Sequence, residues 1–285
     1  MPARPATYPG PWLHGGLVRL DEVAGPDEWW ALEGTVVVKD TLTLKRTMYV
    51  RRAGGEGGAV TICGPVRVSD DVEKQIAALG TVKHVVRVTS LHGVDDAYYV
   101  DKFKATAWAP APLDVGGSAS QRWPVDALPY SQYSEAEPPV EALGEGARVL
   151  MVPCKADKCV EPVIFLSSAK AIISGDFIGS YDMAYSKGIV KGSPLTRVSD
   201  LDVGLKSRII LRVLGLTKPA QTMKPFVSGR ATSLADLKTF NARLLELDWD
   251  TLFSAHGAPI VGGAKDARRR WCAANGWPVA VGPVP

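Results

Sequence analysis

The stretch that most constrains this chain runs from Val82 to Asp96, where a β-branched segment gives way to side chains able to hold a metal. Val82, Val85, Val86 and Val88 predict a buried strand. Branched side chains pack well on a pleated surface, and no apolar stripe of helical period continues past Thr89. His92, Asp95 and Asp96 then follow where the strand passes into a loop. Ligands carried at a strand's carboxyl end are held by rigid backbone yet face an opening, which is what a site needs.

The neighbouring segments supply the frame. Residues 35–38 and 42–52 read as strands, the second with Leu42, Leu44, Met48 and Val50 on one alternating face. The run Gly54-Gly55-Glu56-Gly57-Gly58 predicts a turn and residues 59–63 the returning strand, hence a hairpin. Gly64-Pro65 breaks that strand. Asp70 and Glu73 have capping-box spacing, and Val72, Ile76 and Leu79 fall at helical intervals before Gly80. Strand, helix and strand make a right-handed βαβ unit the natural arrangement.

Beyond Asp96 the pattern predicts a short helix at 97–103 and a strand at 105–109. Residues 110–139, rich in Pro, Gly, Ser and acidic groups, predict a long excursion, after which strands continue the same sheet. Trp123, Tyr130 and Tyr133 are expected to pack it down over the site. Short strands follow at 148–152, 163–166 and 171–174, then loop at 180–200 and a helix at 202–216. Ser233 caps an amphipathic helix carrying Leu234, Leu237, Phe240, Leu244 and Leu247. A last strand at 251–257 ends in His256-Gly257, and a helix at 264–275 closes the chain. The expected organisation is an irregular arm over 1–34, pinned by Trp12, Trp29 and Trp30, and one domain over 35–285.

Of the 285 residues, 46% are hydrophobic and 22% charged, enough apolar material for a globular core. A net charge of +3, scattered along the chain, gives no basis for binding nucleic acid or an anionic membrane. The one basic cluster, Arg268-Arg269-Arg270, predicts a solvated helix face suited to the helix dipole. No apolar segment approaches the ~20 residues that cross a bilayer. The first residues hold Pro and Gly where a secretion signal needs an apolar stretch. Cys63, Cys154, Cys159 and Cys272 are too few and too irregular for a disulfide framework, so a reducing, cytoplasmic setting is expected. His84, inside the anchor strand, reads as structural and His14 as incidental. Cys154 and Cys159 do not have the spacing of a structural zinc pair.

Metal-capable groups thus stand at three strand ends: His92 with Asp95 and Asp96, then Asp176 in Ile-Ser-Gly-Asp, then His256 in Ser-Ala-His-Gly-Ala-Pro-Ile. In that order, with the glycine-rich hairpin and Gly80 before the anchor strand, the chain resembles a divergent branch of the metallo-β-lactamase fold superfamily from about Met48 to Trp271. The resemblance implies a single α/β domain, a four-layer αββα sandwich with a metal site along one edge. It also implies an eroded motif. Where the superfamily has H-x-H-x-D-H, this chain reads Ser90-Leu91-His92-Gly93-Val94-Asp95, keeping only the second histidine. The comparable later turn, Pro153-Cys154-Lys155-Ala156-Asp157, offers no histidine, although Cys154 stands near that position. The bridging aspartate matches at Asp176 and the final histidine at His256.

In that superfamily two divalent ions share a water that becomes a nucleophilic hydroxide. Here the nitrogen ligands suffice for one ion, held by His92, Asp95 or Asp96, Asp176 and His256. Zinc comes first for such a set, with iron or manganese chemically reasonable. The expected function is a metal-dependent hydrolase in which metal-bound hydroxide attacks a small-molecule ester, lactone or thioester. Asp176 would orient the water, and Asp95 or Asp96 would shuttle the proton. Asp95 and Asp96 have an alternative reading as caps of the following helix. Two other functions stay open: a metal-free pseudoenzyme using the cleft to bind a ligand or partner, and a mononuclear iron oxidoreductase. A Walker-type phosphate loop, a dinucleotide fingerprint and a serine nucleophile elbow are all absent from the sequence.

Overall fold

The glycine-rich turn does join two antiparallel strands, β3 (Leu42–Arg52) and β4 (Ala59–Cys63), with Tyr49 opposite Cys63. A computed structural model describes residues 14–38, 42–93, 95–112, 130–180, 219–222 and 224–279, together with Ile209. From the hairpin the chain builds a sheet in sequence order: β1 (Val18–Arg19), β2 (Glu28–Val38), β3, β4, β5 (Thr81–Val86), β6 (Thr106–Pro110) and β7 (Ser131–Tyr133). α1 (Asp70–Leu79) and α2 (Asp96–Phe103) make the crossovers of the parallel pairs β4–β5 and β5–β6. After α3 (Val140–Leu143), a second sheet has the order β11 (Thr251–Ser254), β10 (Ala171–Ser174), β9 (Pro162–Leu166), β8 (Ala147–Met151). α4 (Lys224–Gly229), α5 (Leu234–Glu246) and α6 (Ala264–Ala274) complete the described elements.

Three apolar layers define the stacking. Between the sheets, Trp29, Tyr49 and Tyr133 pack with Ile164, Ile173 and Phe253. The Phe253 ring lies 4.9 Å from that of Trp29 and 4.7 Å from that of Tyr49. Outside the first sheet, Met48, Val50 and Val85 meet Val72 and Ile76 of α1 and Tyr99 of α2. Outside the second, Ile172 and Leu252 meet Phe226, Leu237, Phe240 and Cys272 of α4, α5 and α6. The order is helices, sheet, sheet, helices, the expected αββα sandwich. β9, β10 and β11 are buried at every residue, as strands covered on both faces must be, and their sequences are accordingly near-continuous apolar runs.

Several expectations change. β2 starts at Glu28 instead of residue 35, so Trp29 and Trp30 are strand residues and not pins on an arm. His14 is not incidental: its Nε2 accepts the Ser69 amide at 2.9 Å, fastening the chain's start to the head of α1. Ser69 occupies the N-cap of α1 without a side-chain bond, and Glu73 turns inward to Tyr98 and Lys102 instead of closing a capping box. The anchor strand ends at Val86, two residues early, because Arg87 is drawn to Asp96. The excursion includes strand β7, which pairs with β6; the strands after it form the second sheet, a choice periodicity cannot make. Trp123, most of the 180–200 loop and the 202–216 helix except Ile209 lie outside the described residues.

Arg268 is also not solvated. It is fully buried, donates to Asn241 Oδ1 and the Ala220 carbonyl, and lies over the Trp271 ring. The expectations for α5 and α6 match the structure, and Ser233 Oγ accepts the Asp236 amide at 3.0 Å. His84 accepts the Trp108 indole N–H at 3.2 Å, a structural bond. Among the described residues no helix is long and apolar enough to cross a membrane.

Candidate metal centre

Strand register decides which loops meet. β10 and β11 run parallel with Ser174 beside Ser254, so Asp176 and His256 each follow a paired serine by two residues. Both serines then fold their loops. Ser174 Oγ accepts the Ile178 amide at 2.9 Å, and Ser254 Oγ accepts the His256 amide at 3.1 Å while donating to the Ile178 carbonyl. His92 arrives from the loop after β5 in the other sheet. Its loop is tied to the second sheet by Ser90, whose amide donates to the Val160 carbonyl and whose Oγ accepts the Val160 amide.

Three donor atoms converge there. His256 Nε2 lies 2.8 Å from Asp176 Oδ1 and 3.1 Å from His92 Nε2, and His92 Nε2 lies 3.1 Å from the same Asp176 oxygen. His92, Asp176 and His256 are each at least nine-tenths buried and are the group among the described residues that could hold a metal ion. A tetrahedral ion with bonds of ~2.0–2.1 Å requires donors roughly 3.3 Å apart. The observed spacing needs an expansion of only a few tenths of an ångström.

The tautomer fits as well. His256 Nδ1 lies 2.8 Å from the Lys45 carbonyl, which can only accept, so Nδ1 carries the proton and Nε2 presents its lone pair. That lone pair faces a carboxylate oxygen and a second imidazole nitrogen. Such a set of acceptors is stable only around a shared positive charge, either protons or a cation. His92 Nδ1 is buried and has no hydrogen-bond partner among the described residues.

Charged neighbours surround this set. Asp176 Oδ2 accepts from Arg230, which lies just past α4. Glu161 Oε1 accepts the amides of Asp176 (2.6 Å) and Phe177 (2.9 Å), shaping the turn that presents the carboxylate. Gly175 makes room for this: a Cβ there would lie 2.8 Å from Glu161 Oε1 and 2.8 Å from Thr89 Cβ. Burial, with the adjacent Asp176 charge, holds the Glu161 carboxyl well above its ordinary range. Burial lowers the His92 imidazole to about 3, and the buried Arg46 guanidinium beside it adds to the effect. Burial opposes ionisation of Asp176, yet the two imidazoles outweigh it and hold the carboxyl well below its usual range.

Asp95 and Asp96, expected as ligands and proton carriers, have other partners. Asp95 sits at the N-cap of α2 without a side-chain capping bond; its Oδ2 accepts the Arg67 amide at 3.0 Å. Asp96, completely buried, accepts from Arg87 Nε at 2.7 Å and Tyr130 OH at 2.9 Å. Physically, a buried arginine outcompetes a more distant site for that carboxylate. Cys154 is not part of the donor group. The residues not anticipated from sequence are Arg46, Arg87, Glu161 and Arg230. Their one signal was negative: each is a charged residue inside or beside an apolar run that must be buried and therefore paired.

No family model matches the chain, and no curated protein matches it in sequence. Solved structures do match in fold. DIM-1 metallo-β-lactamase, solved after exposure to ceftazidime, is 12% identical over 92% of this chain and 99% of its own, with a TM-score of 0.52. VMB-1 at pH 5.5 is 13% identical over 93% and 100%, with a TM-score of 0.53. TMB-1 is 11% identical over 92% and 99%, with a TM-score of 0.51. With two sheets in the expected order, this chain has the metallo-β-lactamase fold.

Proposed function

From the metallo-β-lactamase fold and the donors meeting at its sheet edge, we propose a metal-dependent hydrolase with a mononuclear site. The observation that carries it is the convergence of His92 Nε2, Asp176 Oδ1 and His256 Nε2 within 3.1 Å, with His256 fixed by the Lys45 carbonyl in the tautomer that offers Nε2. Two imidazoles and one carboxylate suit zinc first, and iron or manganese by the same donor chemistry. A bound zinc would supply Lewis acidity and bring the pKa of a water towards neutrality.

The chain's own residues do the rest. Arg230 donates to the Asp176 carboxylate, and Glu161 accepts the amides of the turn that presents it. The low basicity of His92 keeps its ring neutral across the neutral range, so that one ring nitrogen has a lone pair to offer. Small-molecule esters, lactones and thioesters are the proposed substrates, since the fold accommodates many such reactions and the site must decide. A second reading has its own support: without an ion, Arg230 already donates to Asp176 Oδ2, and the Nε2–H tautomer of His92 would donate to Oδ1. On that reading the chain is a metal-free binding protein of the same fold.

Elemental analysis of protein purified without chelator or nickel separates the two. One zinc, iron or manganese per chain, lost in both His92→Ala and His256→Ala, together with ester or lactone hydrolysis that follows metal content, supports the hydrolase. Folded wild-type protein that takes up no zinc, iron or manganese on titration would sink it and leave the binding protein.

A further inference from the structure

Cys154 and Cys159 were unassigned by sequence, and the fold brings them together. The turn between them is closed by the Lys158 amide donating to the Lys155 carbonyl at 2.9 Å. The antiparallel pair β8–β9 sets Met151 opposite Pro162, and the Val152 amide donates to the Glu161 carbonyl at 2.8 Å. The same register carried on puts Cys154 opposite Cys159, and opposed residues of such a ladder have Cα atoms ~4.5–5.5 Å apart, inside the range a disulfide needs. The side chains are near enough that each thiol is the largest influence on the other's ionisation. Cys159 is buried while Cys154 is only partly so, giving one thiol within reach of solvent and one behind it. Cys63 and Cys272 are completely buried elsewhere.

The pair also has an electrostatic setting suited to exchange. The neighbouring Cys154 thiol, followed by the nearby Arg230 charge, favours the Cys159 thiolate against its burial, while the same neighbour raises the proton affinity of Cys154. Thiolate character beside a cation distinguishes a reactive cysteine from an inert core one. The segment is knitted to the Arg230 region by backbone: the Lys155 amide donates to the Arg230 carbonyl at 2.8 Å, the Thr232 amide to Pro153 at 3.1 Å, and Cys154 bridges Ala231.

We propose that Cys154 and Cys159 form a redox-active dithiol that closes to an intramolecular disulfide with low-molecular-weight disulfides of the glutathione class. The Cys154 proton passes to Cys159, and the Cys154 thiolate attacks one sulfur of the oxidant. The oxidant's S–S bond breaks and the first small thiolate leaves. That thiolate takes the proton from Cys159. The Cys159 thiolate then attacks the Cys154 sulfur, forming the protein disulfide and expelling the second small thiolate. Two protein sulfurs are oxidised and one small disulfide is reduced to two thiols. The dithiol stands independently of the hydrolase reading, since no donor of the metal group takes part.

The test is equilibration of the full-length protein in reduced and oxidised glutathione buffers, followed by acid quench, alkylation under denaturing conditions and mass spectrometry. Expected in the oxidised buffer is loss of two of the four alkylatable thiols, reversed by dithiothreitol. Trypsin, cutting after Lys155 and Lys158, should release fragments 149–155 and 159–170 joined by the disulfide. Cys159→Ser should trap one glutathionyl group on Cys154, and Cys154→Ser should take up none. Four alkylatable thiols in wild type at every ratio, or a disulfide involving Cys63 or Cys272, would overturn the proposal; the wild-type result decides even if a variant fails to fold.

Discussion

Gly93 lies against the guanidinium of Arg87, so closely that a Cβ at position 93 would come within 2.1 Å of Arg87 Nη2. The glycine beside His92 is there for space. Gly93→Ala should push Arg87 away from the buried Asp96 and cost on the order of 3 kcal/mol, the scale for disrupting a buried ion pair. A urea titration read by tryptophan fluorescence measures it; a change under 1 kcal/mol would show that the loop yields freely.

Asp96 and Asp176 should separate cleanly. Asp96→Ala leaves Arg87 buried without its carboxylate and should lower stability by about 3–5 kcal/mol, while the protein that remains folded still takes up metal. Asp176→Asn should do the reverse, weakening metal uptake far more than folding. Isothermal titration with zinc beside chemical denaturation checks both, and loss of metal in Asp96→Ala at unchanged stability would return Asp96 to the ligand set.

The Gly175 turn should matter to metal affinity through Asp176. Gly175→Ala forces a methyl against Glu161 and Thr89, and Glu161→Ala removes the acceptor of two turn amides. Either should weaken zinc binding by about 10–100-fold, the usual effect of losing a group that orients a ligand. Glu161→Gln, which keeps an acceptor oxygen, should fall between Glu161→Ala and wild type. Equal affinities in all three would show that the turn holds its shape unaided.

The acid limb of stability should carry the signature of His92. Its pKa is about 3 folded and near 6.5 when exposed on unfolding, so between those values the unfolded chain holds one proton more. Stability of the metal-free protein therefore gains from this group as pH rises from 3 to 6.5, by about 1.4 kcal/mol per pH unit at most, and is level above. Glu161, held protonated by burial, contributes the opposite slope above 4.5, so the difference between wild type and His92→Gln is the quantity to measure. Parallel urea midpoints from pH 4 to 8 would refute the buried neutral imidazole.

The chain's local chemistry was enough for most of its elements. The valines before Val86, the glycine-rich hairpin, the spacing within α1 and α5, and the apolar runs of β9 to β11 each announce an element, because periodicity and turn propensity are short-range properties. His92, Asp176 and His256 were legible too, as polar groups stranded at the ends of apolar segments. Sequence could not assign β8 to β11 to a second sheet, nor show that Asp95 holds the Arg67 amide and Asp96 the Arg87 guanidinium. It gave no sign that Arg268 was buried or that Arg230 would reach Asp176. Those outcomes depend on which distant groups compete for the same buried charge: a carboxylate four residues from His92 binds Arg87, and one 84 residues away binds His92. Only the packed tertiary structure sets those distances, and in a low-dielectric interior distance decides the pairing.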